Sequence, residues 1–198
     1  MLSGSFFHLD QQDGAWVLRL RSEDSTNRLS RACVLALTDA IWELAKKPLP
    51  LILTGNRTFF SAGAELREIA ALDAPAAYEF SKMGQALMLA VERFPAPVYG
   101  AVSGYCMGGG LDLALACHQR IASPNAVFAH RGAALGLITG WGGTQRLPRL
   151  IGKAWALQMM VAAEKISAAR ALQMGLVDAI VENPAQEALR SIRERQSV

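Results

Sequence analysis

The sequence predicts an α/β fold built around a mostly parallel β-sheet. Short apolar segments suited to buried strands alternate with longer segments whose apolar residues recur at helical spacing. The connections between these strands are long enough to hold a helix, as parallel pairing requires. No repeat typical of a solenoid is present and no linker divides the chain, so we predict one domain over residues 1–198, with its core in 1–182 and a short C-terminal helix at 184–196.

Local signals place the elements of the first half. An Asp-Gly pair favours a tight hairpin turn, and Ser or Asp side chains cap helices by accepting a free backbone N–H. Proline ends the helix that precedes it. The predicted elements are a β-hairpin around Asp13-Gly14, a helix capped by Ser30 and stopped by Pro48, a strand at 51–54, a helix from Asp73 to about Phe94, and a strand at 98–102.

The second half continues the alternation of strands and helices. Its apolar runs are shorter, and glycines punctuate them. The predicted elements are a buried helix at 108–116, short strands at 120–122 and 127–129, a polar-faced helix from Gly143 onward, a helix from Ser167 that ends before Gly175, and an amphipathic helix at 184–195.

Composition and charge exclude several classes of function. The net charge is only +3, and basic residues are not interleaved with aromatic ones, so we expect no nucleic-acid partner. Cys33, Cys106 and Cys117 lie far apart without a C-x-x-C motif, which predicts neither disulfides nor a metal site. The N-terminus lacks the features of a signal peptide, and we expect a cytoplasmic protein. Prolines and glycines interrupt the long uncharged stretch 94–111, so we expect no membrane span.

Two glycine-bearing turns, each after a predicted strand, are the best candidates for chemistry. They span residues 60–66 and 104–112, whereas the common phosphate-binding and serine-nucleophile motifs are missing. A glycine triplet that enters a helix leaves N–H groups unscreened and unpaired. If the two turns converge, these groups form an oxyanion hole that stabilises charge on a carbonyl oxygen. Close helix packing is the alternative explanation of the same glycines.

Four blocks of sequence resemble the crotonase superfamily of enoyl-CoA hydratases and isomerases, in the order of the family. Residues 60–68 (FSAGAELRE) resemble its F-[SA]-A-G-A-D-L-K-E turn, and residues 97–114 are similar to its P-V-I-A-A-V-x-G-x-x-x-G-G-G-x-E-L-A segment. Residues 142–152 (GGTQRLPRLIG) and 166–177 resemble its G-G-T-Q-R-L-P-R-x-x-G and I-S-A-x-x-A-x-x-x-G-L-V segments.

The resemblance implies a crotonase-like ββα-superhelix fold and an enzyme of acyl-CoA thioesters that stabilises an enolate. By this resemblance, the oxyanion hole consists of the N–H groups of Ala62 and Gly109, with Asp112 as the catalytic carboxylate. It also implies a homotrimer or a dimer of trimers, and no cofactor other than the coenzyme A of the substrate. The residues expected to contact the substrate or coenzyme A are Ala62, Ala64, Leu66, Arg67, Gly108 and Gly109.

Three departures from the family pattern leave the reaction open. Asp112 stands where the hydratases have their first glutamate, and it reaches about 1.5 Å less far; its alternative role is to complement the dipole of its helix. Gly132 stands at the position of the second glutamate, beside His130 and Arg131, which are tentative acid-base candidates. Relatives also usually continue with further helices, so we expect the C-terminal helical region to be truncated.

Three hypotheses follow from these departures. The first is an enzyme of the enoyl-CoA hydratase or isomerase type that uses Asp112. The second is another thioester reaction in the same oxyanion hole, such as decarboxylation or thioester hydrolysis, assisted by His130 or Arg131. The third is an acyl-CoA-binding or oligomer-forming protein without catalysis, suggested by Gly132 and the short C-terminus.

Overall fold

The computed structural model describes residues 4–196, so residues 1–3 and 197–198 of the predicted domain lie outside the described residues. The strands within this range are β1 (Phe7–Gln12), β2 (Ala15–Leu20), β3 (Leu51–Thr54), β4 (Phe59–Ser61), β5 (Val98–Val102), β6 (Tyr105–Met107), β7 (Gln119–Ala122), β8 (Val127–Ala129), β9 (Ile166–Ser167) and β10 (Ala179–Ile180). The main sheet has the order β1-β2-β3-β5-β7-β10. Only the β1–β2 hairpin in it is antiparallel, which confirms the predicted α/β class.

Helices connect these strands, and their caps follow the sequence signals. They are α1 (Arg31–Ala45), α2 (Leu66–Ala70), α3 (Ala74–Glu92), α4 (Gly109–Ala116), α5 (Gly143–Ile151), α6 (Lys153–Val161), α7 (Ala168–Gln173) and α8 (Pro184–Gln196), with a 3-10 turn at Gly132–Leu135. Ser30 accepts the N–H of Cys33 at the start of α1, and Asp73 accepts the N–H of Ala76 at the start of α3. These two predicted caps are therefore confirmed.

A second, smaller sheet carries the candidate site. Its order is β4-β6-β8-β9, with β4, β6 and β8 parallel and β9 antiparallel to β8. The sequence did not predict β4, β6 or β9, because two or three residues are too few to show an alternating pattern. The uncharged stretch 94–111 is divided among β5, β6 and the start of α4. Between residues 4 and 196, none of the helices combines the length and the apolar character that crossing a membrane would need.

The main sheet is covered on both faces. The larger core cluster packs on one face and includes Leu18 and Val98 together with buried residues of α1, α3 and α4. On the other face, Ala188, Leu189 and Ile192 of α8 pack against a smaller cluster. This cluster contains alternate strand residues, namely Val17, Ile52, Tyr99, Ala101 and Ile121. The predicted C-terminal helix is therefore an integral layer of the fold.

Candidate active site

The two glycine turns meet at one edge of the small sheet. Because β4 and β6 are parallel neighbours, the chain leaves both strands at the same edge. A Cβ on Gly63 would lie 2.6 Å from the carbonyl oxygen of Met107 and 3.3 Å from the nitrogen of Gly109. Gly63 also has a φ of 94°, which L side chains rarely adopt. A glycine at position 63 therefore permits the close approach of the two turns.

The backbone N–H groups at this contact differ in whether the fold already uses them. The N–H of Ala62 donates to the carbonyl oxygen of Thr26 at 2.9 Å, and that of Gly108 donates to Ala129 at 2.9 Å. Within residues 4–196, no acceptor takes the N–H of Ala64 or of Gly109. A Cβ on Gly109 would lie 3.4 Å from the nitrogen of Ala64, so these two groups are neighbours.

This geometry corrects the sequence-based choice of donor. The prediction that Ala62 supplies one N–H of the oxyanion hole does not fit, because that N–H is bonded within the fold. Ala64, expected only to contact the substrate, has the free N–H beside Gly109. Gly108 likewise cannot offer its N–H to a ligand, although it precedes α4 with a φ of 49°.

Asn27 holds the first turn in place, a role that the sequence analysis missed. Its side-chain Nδ2 donates to the carbonyl oxygens of Phe59 and Phe60 at 2.9 and 3.2 Å. Ser61 Oγ in turn donates to the carbonyl oxygen of Asn27 at 2.7 Å. Asn27 is buried and has a φ of 52°, a conformation that asparagine tolerates better than most residues. The strand that leads to Ala64 is thus fixed by a distant loop.

Asp112 lies in the first turn of α4. It follows Gly109 by three residues, so the two share a face of the helix. Its side chain is 1% exposed. Oδ2 accepts a short hydrogen bond from the hydroxyl of Thr139. Oδ1 lies 3.4 Å from Nε2 of His130, and these two buried atoms have no hydrogen-bond partner among the described residues. The carboxyl group is therefore anchored at one oxygen and unpaired at the other.

Burial shifts the pKa values of this pair in opposite directions. Desolvation raises the pKa of Asp112 from 3.8 to about 7, although the Thr139 hydroxyl, the charge of Arg146 and the nearby N–H of Gly143, which is not aligned for a full hydrogen bond, oppose the shift. Desolvation lowers the pKa of His130 from 6.5 to about 4. Near pH 7 the imidazole is therefore neutral, and the carboxyl group can exist in both its protonated and its charged form. A carboxyl group in this state can both accept and donate a proton.

The segment before α5 closes over Asp112. A Cβ on Gly143 would overlap Oδ1 of Asp112 and lie 2.8 Å from Nε2 of His130, so only glycine fits there. Arg146 fixes this segment: its Nη1 donates to the carbonyl oxygen of Trp141 at 3.3 Å, and its Nη2 pairs with Glu92 at 2.6 Å. The motif at 142–146 thus positions the groups around the carboxyl.

The remaining predicted residues lie at the edge of this cluster. Leu66 and Arg67 are exposed on α2, directly after Ala64. Arg131 is exposed, whereas its neighbour His130 is buried, so only His130 joins Asp112. A Cβ on Gly132 would lie 2.7 Å from the carbonyl oxygen of Leu137, which leaves little room for a larger side chain. No group of His, Cys, Asp and Glu within residues 4–196 is arranged to hold a metal ion.

Comparison with protein families and relatives gives a consistent result. The sequence model of the enoyl-CoA hydratase/isomerase family matches residues 10–196. A crotonyl-CoA hydratase of Syntrophomonas wolfei subsp. wolfei is 37% identical over 177 residues, which are 88% of this chain and 68% of that protein. A probable enoyl-CoA hydratase of Bacillus subtilis is 44% identical over 128 residues, covering 64% of this chain. The chain spans only half the length of that second relative.

Solved structures agree on the architecture. DspI of Pseudomonas aeruginosa superimposes with a TM-score of 0.93 at 32% identity, over 98% of this chain and 82% of that one. The enoyl-CoA hydratase of Bacillus anthracis gives a TM-score of 0.91 at 32% identity, over 97% and 77%. The crotonase-like fold implied by the sequence blocks is therefore confirmed.

Proposed function

The chain belongs to the enoyl-CoA hydratase/isomerase family, and we propose that it acts on acyl-CoA thioesters by polarising the thioester carbonyl with the N–H groups of Ala64 and Gly109. The observation that carries the proposal is the meeting of these two N–H groups, each without an acceptor in the described fold, where the two glycine turns touch. Fixed donors of this kind stabilise the charge that develops on a carbonyl oxygen during reaction.

The proposed reaction is addition of water to a conjugated enoyl thioester. Asp112, as carboxylate, removes a proton from the water while the oxygen of the water bonds to the β-carbon. The electron pair of the double bond moves toward the thioester oxygen and forms an enolate that Ala64 and Gly109 stabilise. Asp112 then returns the proton to the α-carbon. A carboxyl group with a pKa of about 7 suits both transfers near neutral pH.

His130 is the partner that we propose for this carboxyl. Nothing larger than a hydrogen stands at position 132, so the second carboxylate of the family pattern is not available. The unpaired Nε2 of His130 lies 3.4 Å from the unpaired Oδ1 of Asp112. A neutral imidazole at this distance can accept a hydrogen bond from the protonated carboxyl and so hold the proton between the two transfers.

The exposed α2 helix supplies the proposed contact with coenzyme A. Arg67 is exposed and lies three residues after Ala64, so its long side chain can reach toward the coenzyme A of a thioester held at Ala64. Arginine binds phosphate oxygens well because its guanidinium presents several fixed donors. We expect Arg67→Ala to raise KM with little change in kcat.

The deciding experiment follows the loss of the conjugated-thioester absorbance of crotonyl-CoA. Wild type should turn over the substrate, and Asp112→Asn should lose about 10²-fold or more in kcat, as removal of a general acid-base group does. Asp39→Asn, an exposed aspartate on α1, is the matched control and should keep full activity. Full activity in Asp112→Asn would disprove the role of this carboxyl, and inactivity of wild type would favour the other thioester reactions or a binding role.

We also propose that the protein assembles as a trimer or a dimer of trimers in the cytoplasm and needs no metal or redox cofactor. Exposed apolar side chains near the 3-10 turn and on α6, namely Leu135, Ile138, Leu157 and Val161, support self-association. Light scattering of the purified protein measures the oligomeric state.

Backbone dipoles carry the developing charge in this mechanism, so a chelator should leave turnover unchanged.

A further inference from the structure

Trp141 is a large side chain that packs directly against Gly109 of the proposed oxyanion hole. It is 3% exposed, and its indole lies between helices α3 and α4. Nε1 donates to the carbonyl oxygen of Phe80 at 3.3 Å, and the two rings are 5.4 Å apart between centroids. The backbone of Trp141 is held by Arg146, so the ring is fixed at both its polar atom and its main chain.

Two glycines make the space that the indole fills. A Cβ on Gly84 would overlap the five-membered ring, and a Cβ on Gly109 would overlap the six-membered ring. Gly84 lies inside the 19-residue helix α3, where glycine is a poor choice for helix stability. Its lack of a side chain admits the indole instead. The slot between α3 and α4 is therefore shaped for this one side chain.

The position of the slot matters for the substrate. A thioester oxygen bound to the N–H of Gly109 would lie within about 3 Å of that nitrogen. The indole packs against the same residue, so an acyl group whose oxygen binds there would pass close to the indole. The α-carbon has to face Asp112, whose partner Thr139 is two residues from Trp141 in the same segment. An acyl chain that leaves the hole in this direction meets the indole within its first few carbons.

We propose that Trp141 restricts the site to short acyl-CoA thioesters by filling the slot between Gly84 and Gly109 that a longer acyl chain would otherwise enter. This inference rests on the proposed function, because it takes the thioester oxygen to bind at Ala64 and Gly109. It adds the substrate class, which the sequence alone left open.

The test measures how binding depends on chain length, with saturated ligands that cannot react. Calorimetry compares butyryl-CoA and octanoyl-CoA on wild type, Trp141→Ala and Trp42→Ala, a control tryptophan that is 57% exposed on α1. Each methylene that enters an apolar pocket improves affinity by about fourfold. Trp141→Ala should therefore bind octanoyl-CoA at least about tenfold more tightly than wild type does, with butyryl-CoA changed by less than about threefold. Trp42→Ala should match wild type.

The outcomes separate this inference from the proposed function. If wild type binds butyryl-CoA and hydrates crotonyl-CoA, yet Trp141→Ala leaves the ratio of the two affinities unchanged, the length restriction is wrong and the proposed function stands. If wild type binds neither ligand, both fail. If Trp141→Ala does not fold, as circular dichroism would reveal, Trp141→Phe replaces it and should shift the ratio in the same direction by a smaller factor, and an unchanged ratio again rejects the restriction.

Discussion

Replacing Asp112 with asparagine should stabilise the fold at alkaline pH while it lowers turnover by about 10²-fold or more. The pKa of Asp112 is raised by burial to about 7, so the folded state favours the protonated carboxyl. The protonated carboxyl therefore contributes fully to the free energy of unfolding below its usual pKa of 3.8. This contribution is lost as the pH rises through the folded pKa of about 7. Asparagine is neutral throughout, and its amide can accept from Thr139 and donate to the unpaired Nε2 of His130.

The size of this effect follows from the two pKa values. The unfolded carboxyl titrates near 3.8 and the folded one at about 7, so the folded protein loses stability as the pH rises between these values. At 1.36 kcal/mol per pKa unit, the free energy of unfolding of wild type should fall by about 2 kcal/mol from pH 5.5 to pH 8 because of this group. The free energy of unfolding of Asp112→Asn relative to wild type should increase by this amount over the same interval. His130 is present in both proteins, so most of its own pH dependence cancels in the difference.

Urea denaturation at pH 5.5 and pH 8 measures this difference, with constant m-values as the check that the transition remains two-state. Asp39→Asn, which makes the same change at an exposed aspartate on α1, is again the control. A difference between Asp112→Asn and wild type that does not change with pH would mean that Asp112 does not have a raised pKa. The assignment of this carboxyl as a proton carrier near pH 7 would then lose its physical basis.

Three further changes probe the groups around the carboxyl. Gly109→Ala should lower turnover of crotonyl-CoA by about 10²–10³-fold, since the added Cβ displaces one donor, whereas Gly4→Ala meets no atom within 4 Å and should be silent. Thr139→Val removes a hydroxyl that lowers the pKa of Asp112. The pH at which kcat rises should therefore increase by about one unit. An unchanged pH profile would show that this hydrogen bond does not tune the catalytic carboxyl. Asn27→Ala should destabilise the fold by about 1–3 kcal/mol in urea and lower kcat more than it changes KM. A loss of stability alone would show that Asn27 does not position the oxyanion hole.

Most helices and the central strands were predictable because local sequence specifies them, whereas the short α2 and the break between α5 and α6 were not predicted. Ser30 and Asp73 mark helix starts through hydrogen bonds that span only three residues, and the structure contains both. β4 and β6 were not predicted as strands, because each is three residues long and exists only by pairing with segments distant in sequence. A pairing of that kind leaves no periodic signal in either segment.

The site was predictable as a place but not in its details. The glycine turns, Asp112 and His130 are visible in the sequence, and the structure brings them together. Which N–H is free depends on the carbonyl oxygen of Thr26, in a loop far earlier in the chain, so the choice between Ala62 and Ala64 required coordinates. Trp141 gave no signal, since an apolar residue among glycines is equally typical of ordinary packing.

The structure also bears on whether Asp112 merely complements the dipole of its helix. A carboxylate that serves this purpose is stabilised in its charged form, and its pKa falls. The pKa of Asp112 rises instead, because burial of its side chain disfavours the charged carboxylate. A buried carboxyl with this environment destabilises the folded state above pH 4. Its raised pKa argues against a role in complementing the helix dipole and is compatible with the proposed role in proton transfer.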